Sequence, residues 1–216
     1  WSQTWDDAQG VQVTATDPAG ATTVFGHDGL GRLTSVAFEG SPPHKEWVHD
    51  WSAPLPTVTT LESGPAGTLE RVAAHDGRGE AIYTAIRLGP DEWILEDGVR
   101  RDPRGRVVFE ADALAWSDAE LPASLPGDAR GVTNHLDAIG RTVQRDVPGG
   151  GVIAFSHAPH QETITEPGRG PVTRTQDGHG RVVVTERQVG GLTEVATASW
   201  DARDRLTSVS LQDGAA

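Results

Sequence analysis

One pattern recurs six times in 216 residues, and it requires the chain to reverse at each copy. It reads Asp-x-x-Gly-Arg-apolar. The copies are Asp28…Gly31-Arg32, Asp76…Gly79, Asp102…Gly105-Arg106, Asp137…Gly140-Arg141, Asp177…Gly180-Arg181 and Asp201…Arg205. Glu80 stands in the arginine position of the second copy and Asp204 in the glycine position of the sixth. Aspartate is favoured at the first position of a type I turn, where its carboxylate accepts backbone N–H groups two residues on. Glycine then takes the left-handed conformation that closes a hairpin with a bulge. An apolar residue, often Leu or Val, starts the returning strand. Each copy therefore predicts one β-hairpin tip, near 28–32, 76–80, 102–106, 137–141, 177–181 and 201–205. The arginine is expected to lie along a sheet face and pair with a neighbouring aspartate. The aspartates are read as scaffold; a catalytic or metal-binding ladder is the competing reading.

A second turn stands one strand ahead of three copies: Asp17–Gly20, Asp128–Gly131 and Glu166–Gly170. Turn, strand of about six residues and turn again make an antiparallel meander. Strands are predicted at Ala21–Gly26, Arg32–Glu39, Lys45–Trp51, Thr57–Leu61, Glu80–Leu88, Arg106–Glu110 and Thr142–Val147. Further strands are predicted at Gly151–Ser156, Glu162–Thr165, Val172–Thr175, Arg181–Arg187, Glu194–Ser199 and Leu206–Leu211. Trp1–Val13 reads as a single incoming edge strand. About 111–127 breaks the pattern and predicts an irregular insertion, ended by Pro122 and Pro126. The motif spacing is too uneven for a tight solenoid or a propeller with fixed blades. The fold class expected is all-β, an antiparallel meander of hairpins. Segments such as Leu33–Val36 and Leu206–Val209 put polar residues on both faces, which suits a thin sheet without one dry core.

The formal net charge of −13 argues against a nucleic-acid partner and against docking on anionic lipid. No apolar run approaches the roughly 20 residues of a membrane-spanning helix. The absence of cysteine excludes disulfides and thiolate metal sites. With Trp1 in first place and no methionine, the chain reads as a segment of a longer protein.

The motif residues resemble the YD repeats of RHS-family proteins, whose unit is Tyr-Asp-x-x-Gly-Arg-apolar. This chain keeps the Asp and most of the Gly-Arg, but replaces Tyr with His27, His75, Arg101, Leu136, Gln176 and Trp200. The order of elements over 75–112 and 136–157 is similar to the RHS-containing B components of insecticidal Tc toxins and to SpvB-type proteins. The resemblance implies that residues 1–216 are part of one single-layer β-sheet that spirals into a hollow shell. It implies partners too: the remainder of that shell, an encapsulated toxic polypeptide and other toxin-complex subunits. It further implies a secreted or cell-surface bacterial protein. The family's self-cleaving core and a toxin domain have no recognisable counterpart in these residues.

Little chemistry competes with that reading. His157 and His160 are a close pair, but zinc needs more ligands, and they are read as exposed loop histidines. No nucleophile elbow or phosphate-binding glycine loop is present. Paired-carboxylate hydrolysis remains formally open, yet nothing singles out one pair. Neither a cofactor nor a catalytic residue is expected. Seven tryptophans predict plugs between hairpins and loops, with a binding surface as the alternative. The sequence thus favours a non-enzymatic shell wall. A cell-surface adhesin that binds glycans is the runner-up, and a β-helical glycan-active enzyme comes third.

Overall fold

Aspartate turns and β-branched runs leave this chain one regular option, and strands take up 60% of it. The computed structural model describes residues 1–52 and 55–213. No helix occurs among the described residues. In chain order the first strands are β1 (Ser2–Asp6), β2 (Val11–Thr16), β3 (Thr22–His27), β4 (Leu33–Phe38), β5 (Lys45–Asp50), β6 (Thr57–Gly64) and β7 (Gly67–His75). They continue as β8 (Ala81–Gly89), β9 (Glu92–Glu96), β10 (Val99–Arg101), β11 (Val107–Ala111), β12 (Leu114–Trp116) and β13 (Gly131–Leu136). The last are β14 (Thr142–Val147), β15 (Gly151–Ala158), β16 (Gln161–Thr165), β17 (Val172–Gln176), β18 (Val182–Val189), β19 (Leu192–Trp200) and β20 (Leu206–Asp213).

These strands form two ten-stranded sheets. The first runs β1 to β9 in order and ends on β12; the second runs β10, β11 and then β13 to β20. Every recorded pair is antiparallel, including β1–β2, β7–β8 and β19–β20. The chain divides into two compact units, Trp1–Arg100 with Ala111–Ala129, and Arg101–Glu110 with Arg130–Ala216.

The first unit holds a small core on one sheet face. Val72 pairs with Ala85, Ala85 with Leu95 and Leu95 with Leu114, so all four side chains point the same way. Val72, Ala85 and Leu95 make a buried cluster with Ala74, Tyr83 and Trp93, flanked by the partly buried Leu114 and Leu121. The Tyr83 hydroxyl donates to the Pro122 carbonyl at 2.5 Å, and Leu125 is 5% exposed. Among the described residues the second unit buries only Phe109 and Asn134. There Asn134 Nδ2 donates to Glu110 Oε1 at 2.7 Å and Arg145 Nε donates to Asn134 Oδ1 at 2.8 Å.

Elsewhere the sheets are thin. The chain exposes 13630 Å², where two compact globules of half its mass would expose roughly 11,600 Å² together. The sequence pattern foresaw that thinness but not the local core, which exists because the insertion folds onto β7–β9.

Four local expectations change. Trp1–Val13 is a hairpin rather than one strand: Gly10 N donates to Asp6 O at 2.7 Å. The stretch 111–127 is not wholly irregular, because Leu114–Trp116 adds to β9 as an edge strand. The turn placed at Asp128–Gly131 falls earlier, with Ala129 N donating to Pro126 O, and Gly131 opens β13. The turn placed at Glu166–Gly170 closes one residue sooner, through Arg169 N to Glu166 O, with Gly168 left-handed.

Candidate functional site

The six motif copies share one hydrogen-bond pattern. The aspartate N–H donates to the carbonyl of the residue at the arginine position, four places on. The bond runs from Asp28 to Arg32, Asp76 to Glu80, Asp102 to Arg106, Asp137 to Arg141, Asp177 to Arg181 and Asp201 to Arg205, at 2.9–3.0 Å. The aspartate carbonyl accepts the N–H of Gly31, Gly79, Gly105, Gly140, Gly180 or Asp204. Each of those residues has positive φ, from 58° at Asp204 to 94° at Gly140. Asp204 holds a position that favours glycine, as aspartate can at low cost. Beside the tip the register slips by one residue at Gly26/His27, Ala74/His75, His135/Leu136, Thr175/Gln176 and Ser199/Trp200, a bulge at each.

The carboxylate is used on both oxygens. In Asp28, Oδ1 accepts Leu30 N at 2.9 Å and Arg32 N at 3.0 Å, while Oδ2 accepts Arg32 Nε at 2.6 Å. Asp102, Asp137, Asp177 and Asp201 repeat this with Arg106, Arg141, Arg181 and Arg205 at 2.7–2.8 Å. Asp76 keeps the two backbone bonds, to Arg78 N and Glu80 N; Glu80 has no guanidinium to add. Each arginine therefore pairs with the aspartate of its own turn, because the tight reversal brings residue i+4 back over residue i; the expected pairing with a neighbouring aspartate occurs as well at Arg181, which reaches Asp204.

The guanidinium also reaches outward. Arg106 Nη1 donates to Asp137 O at 3.3 Å, and Arg104 Nη1 to Ala138 O at 3.3 Å. Arg181 Nη1 donates to Asp201 O at 3.1 Å and to Asp204 Oδ1 at 2.8 Å. The third tip is thus tied to the fourth and the fifth to the sixth. Ring nitrogens add a second tie: His49 Nε2 to Leu33 O, His157 Nε2 to Thr142 O and Trp200 Nε1 to Val182 O. Each acceptor is the first residue after a motif arginine.

Electrostatics follow from these bonds. The Arg181 guanidinium holds Asp177 down to about 2, against the opposing pull of desolvation. The arginines at Asp102 and Asp137 likewise lower those carboxyls. Asp201 is lowered first by the backbone N–H of Arg205. At Asp28 desolvation pulls upward but is outweighed by Arg32 and Leu30. Carboxylates held ionised with both oxygens occupied are poor general acids and offer a metal little. Among the described residues no group of three or more His, Asp or Glu is placed to hold a metal ion.

Two tips escaped the sequence pattern. Asp6 Oδ1 accepts Ala8 N, and Asp50 Oδ1 accepts Ser52 N and Oγ. Neither has glycine at +3 and arginine at +4, but Trp5-Asp6 and His49-Asp50 keep the ring-then-aspartate opening, which was the available signal. His157 is not an exposed loop residue: it lies on β15 with its side chain 14% exposed, 3.7 Å from Glu162. His160 occupies the turn, with φ 57°. The tryptophans divide. Trp93 is buried, Trp200 ties two tips, and Trp1, Trp5 and Trp51 are exposed.

Comparison with known proteins bears on these repeats directly. Residues 5–40, which span the Asp6, Asp17 and Asp28 turns, match the family model RHS Repeat. Those residues carry an RHS repeat. No curated protein matches this sequence. Among solved structures it is similar to the crystal structure of TcdB2-TccC3, with TM-score 0.76 and 16% identity, covering 96% of this chain and 14% of that one. The TcdB2-TccC3 structure without its hypervariable C-terminal region gives 0.79 at 12% identity, covering 99% and 16%. The Photorhabdus luminescens Tc holotoxin pore gives 0.74 at 13% identity, covering 96% and 16%. At these identities the likeness establishes the RHS fold. This chain spans only about one-seventh of the length of those chains.

Proposed function

We propose that this RHS-repeat segment is a structural, non-enzymatic part of the wall of an extracellular Tc-type toxin shell, one that encloses a toxic polypeptide before delivery. The observation that carries the reading is coverage. The whole segment, end to end, superposes on a small fraction of much longer Tc-toxin chains, as a stretch of continuous wall does. Two features support it. Among the described residues no strand lies beyond β1 or β20 in its sheet, so those two edges present hydrogen-bonding groups to further strands. The motif carboxylates are occupied within their own turns, and Arg106 and Arg181 also join neighbouring tips, which serves a wall. In this reading the partners are the remaining wall, the enclosed polypeptide and further toxin-complex subunits.

Electron cryo-microscopy of the intact protein tests it. The expected result is a sheet that continues past β1 and β20 into a closed wall around protease-protected polypeptide. A discrete β-domain that ends at those two strands, and binds glycans on an array, would overturn it in favour of the adhesin.

A further inference from the structure

Three splayed strand ends in this chain are closed by a side-chain ring instead of a backbone ladder. Past Ser35–Glu46 the pairing of β4 with β5 stops, and His49 Nε2 meets the Leu33 carbonyl at 3.2 Å. Past Gln144–Ala154 the pairing of β14 with β15 stops, and His157 Nε2 meets the Thr142 carbonyl at 2.7 Å. Past Val184–Thr197, Trp200 Nε1 does the same for Val182 at 3.0 Å. A carbonyl only accepts, so each ring nitrogen is the donor. Indole does not titrate. Imidazole does, and it carries one N–H when neutral and two when protonated. The surroundings of the second nitrogen therefore decide what a proton does to the tie.

The two histidines differ at that nitrogen. His157 Nδ1 lies 3.7 Å from Glu162 Oε1. The other charged groups there are Arg174, 3.9 Å from the second oxygen of Glu162, and Arg141, held by Asp137. A proton on His157 Nδ1 gains a carboxylate partner and leaves the bond to Thr142 in place. His49 Nδ1, by contrast, is buried without a partner. The charged groups around it are Lys45, Asp50 and Arg32. Lys45 faces Glu62 across β5–β6 at 3.7 Å, Asp50 accepts the N–H and hydroxyl of Ser52, and Arg32 is held by Asp28. From β6 the residue opposite is Val58. At the other end of the same junction His44 stacks on Phe38 at 5.1 Å, and its Nδ1 is buried and unpartnered too. Glu39, after β4, and Glu62, on β6, give that nitrogen no bond. The ladder here is short: β4 and β5 pair only at Ser35–Glu46 and Val36–Lys45, with one more bond from His44 N to Val36 O.

We infer that the β4–β5 junction is a seam opened by mild acid, and that its counterpart at β14–β15 is not. Protonated in place, His49 would hold a second N–H, charged, buried and without an acceptor, which is strongly disfavoured. Swung into water, the ring satisfies both N–H groups but releases Leu33. Proton uptake thus favours the open junction over the closed one. Histidine in water titrates near 6.5, so the seam responds at a pH where the motif carboxylates still hold their turns. Once open, β4 and β5 present unpaired backbone groups to another strand. The inference goes beyond the shell reading and stands without it, because an adhesin with this junction would open equally.

Hydrogen–deuterium exchange of the intact protein at pH 7 and pH 5, corrected for intrinsic exchange rates and read by mass spectrometry, tests it. Exchange should rise about tenfold in peptides covering 33–38 and 45–50. One histidine can supply at most roughly twenty-fivefold over this range. Peptides covering 142–147 and 151–158 should exchange no faster at pH 5. His49→Gln keeps a donor for Leu33 and takes up no proton. It should resemble the parent protein at pH 7 and lose a large part of the rise at pH 5, His44 supplying the rest. His157→Gln should leave the β4–β5 rise intact. No rise at β4–β5, an equal rise at both junctions, or a rise that His49→Gln leaves untouched overturns the inference. None of these outcomes alters the particle imaged at neutral pH by electron cryo-microscopy, so failure of the seam and failure of the shell are distinguishable.

Discussion

At the scale of single residues the motif aspartate is the organising group, because its two oxygens join a turn to a guanidinium. That makes the tips sensitive to acid in a defined direction. Asp177 has its pKa lowered from the usual carboxylate range to about 2. A group with a depressed folded pKa contributes stability above its unfolded value, near 3.9, and loses it as pH falls through the folded value. The intact protein should therefore lose unfolding midpoint progressively from about pH 4 toward pH 2, and Asp177→Asn should flatten that slope; thermal melts across this range check it. The glycine of the motif is tested separately. Gly140 has φ 94°, and a Cβ there would meet Arg106 Cδ at 3.3 Å. Gly140→Val should cost more than about 1 kcal/mol, since β-branched side chains fit the left-handed region poorly. Urea unfolding of the two proteins gives the difference, and equal stability would contradict the turn geometry.

At the scale of elements, the insertion is the part that makes a core. Tyr83 is buried, which pushes its hydroxyl up to about 12, and that hydroxyl is tied to Pro122. Tyr83→Phe should cost about 1 kcal/mol, the net worth of one such bond, whereas Leu95→Ala should cost about 2–5 kcal/mol through its cavity. Chemical denaturation checks both. The hairpins were legible in the sequence because turn chemistry is local: Asp137, Gly140 and Arg141 lie within five residues and need no distant partner. The core was not legible, because Val72, Ala85, Leu95 and Leu114 become neighbours only through a register that crosses four strands. The same limit hid β12, which is three residues long and a strand only because β9 is beside it. Arg181 reaching Asp204 across 23 residues was invisible for that reason too. A local pattern supplied the aspartate–arginine chemistry but not its division between the arginine's own turn and, at Arg181, the next tip.

At the scale of the whole molecule, the question is what the open edges of two sheets do. A sheet edge presents unpaired N–H and C=O groups, and soluble proteins shorten, charge or cover such edges. The described edge β20 does little of this. It runs eight residues, and Leu206, Val209 and Leu211 are 51%, 57% and 79% exposed. At the other end of the chain, β1 is an edge too and carries the exposed Trp5. The charge of −13 opposes association at low salt, but exposed charges are screened beyond about 10 Å at 0.1 M salt, while strand pairing acts at contact. Residues 1–216 expressed alone should therefore self-associate, and more so as salt is raised. Val209→Lys with Leu211→Lys should reduce association through β20 without touching a tip, since both side chains are already in solvent. Sedimentation velocity at two salt concentrations reads both effects. A monomer at either salt, unchanged by the lysines, would mean that these edges are satisfied within the segment, and the case for a wall that continues beyond it would fall.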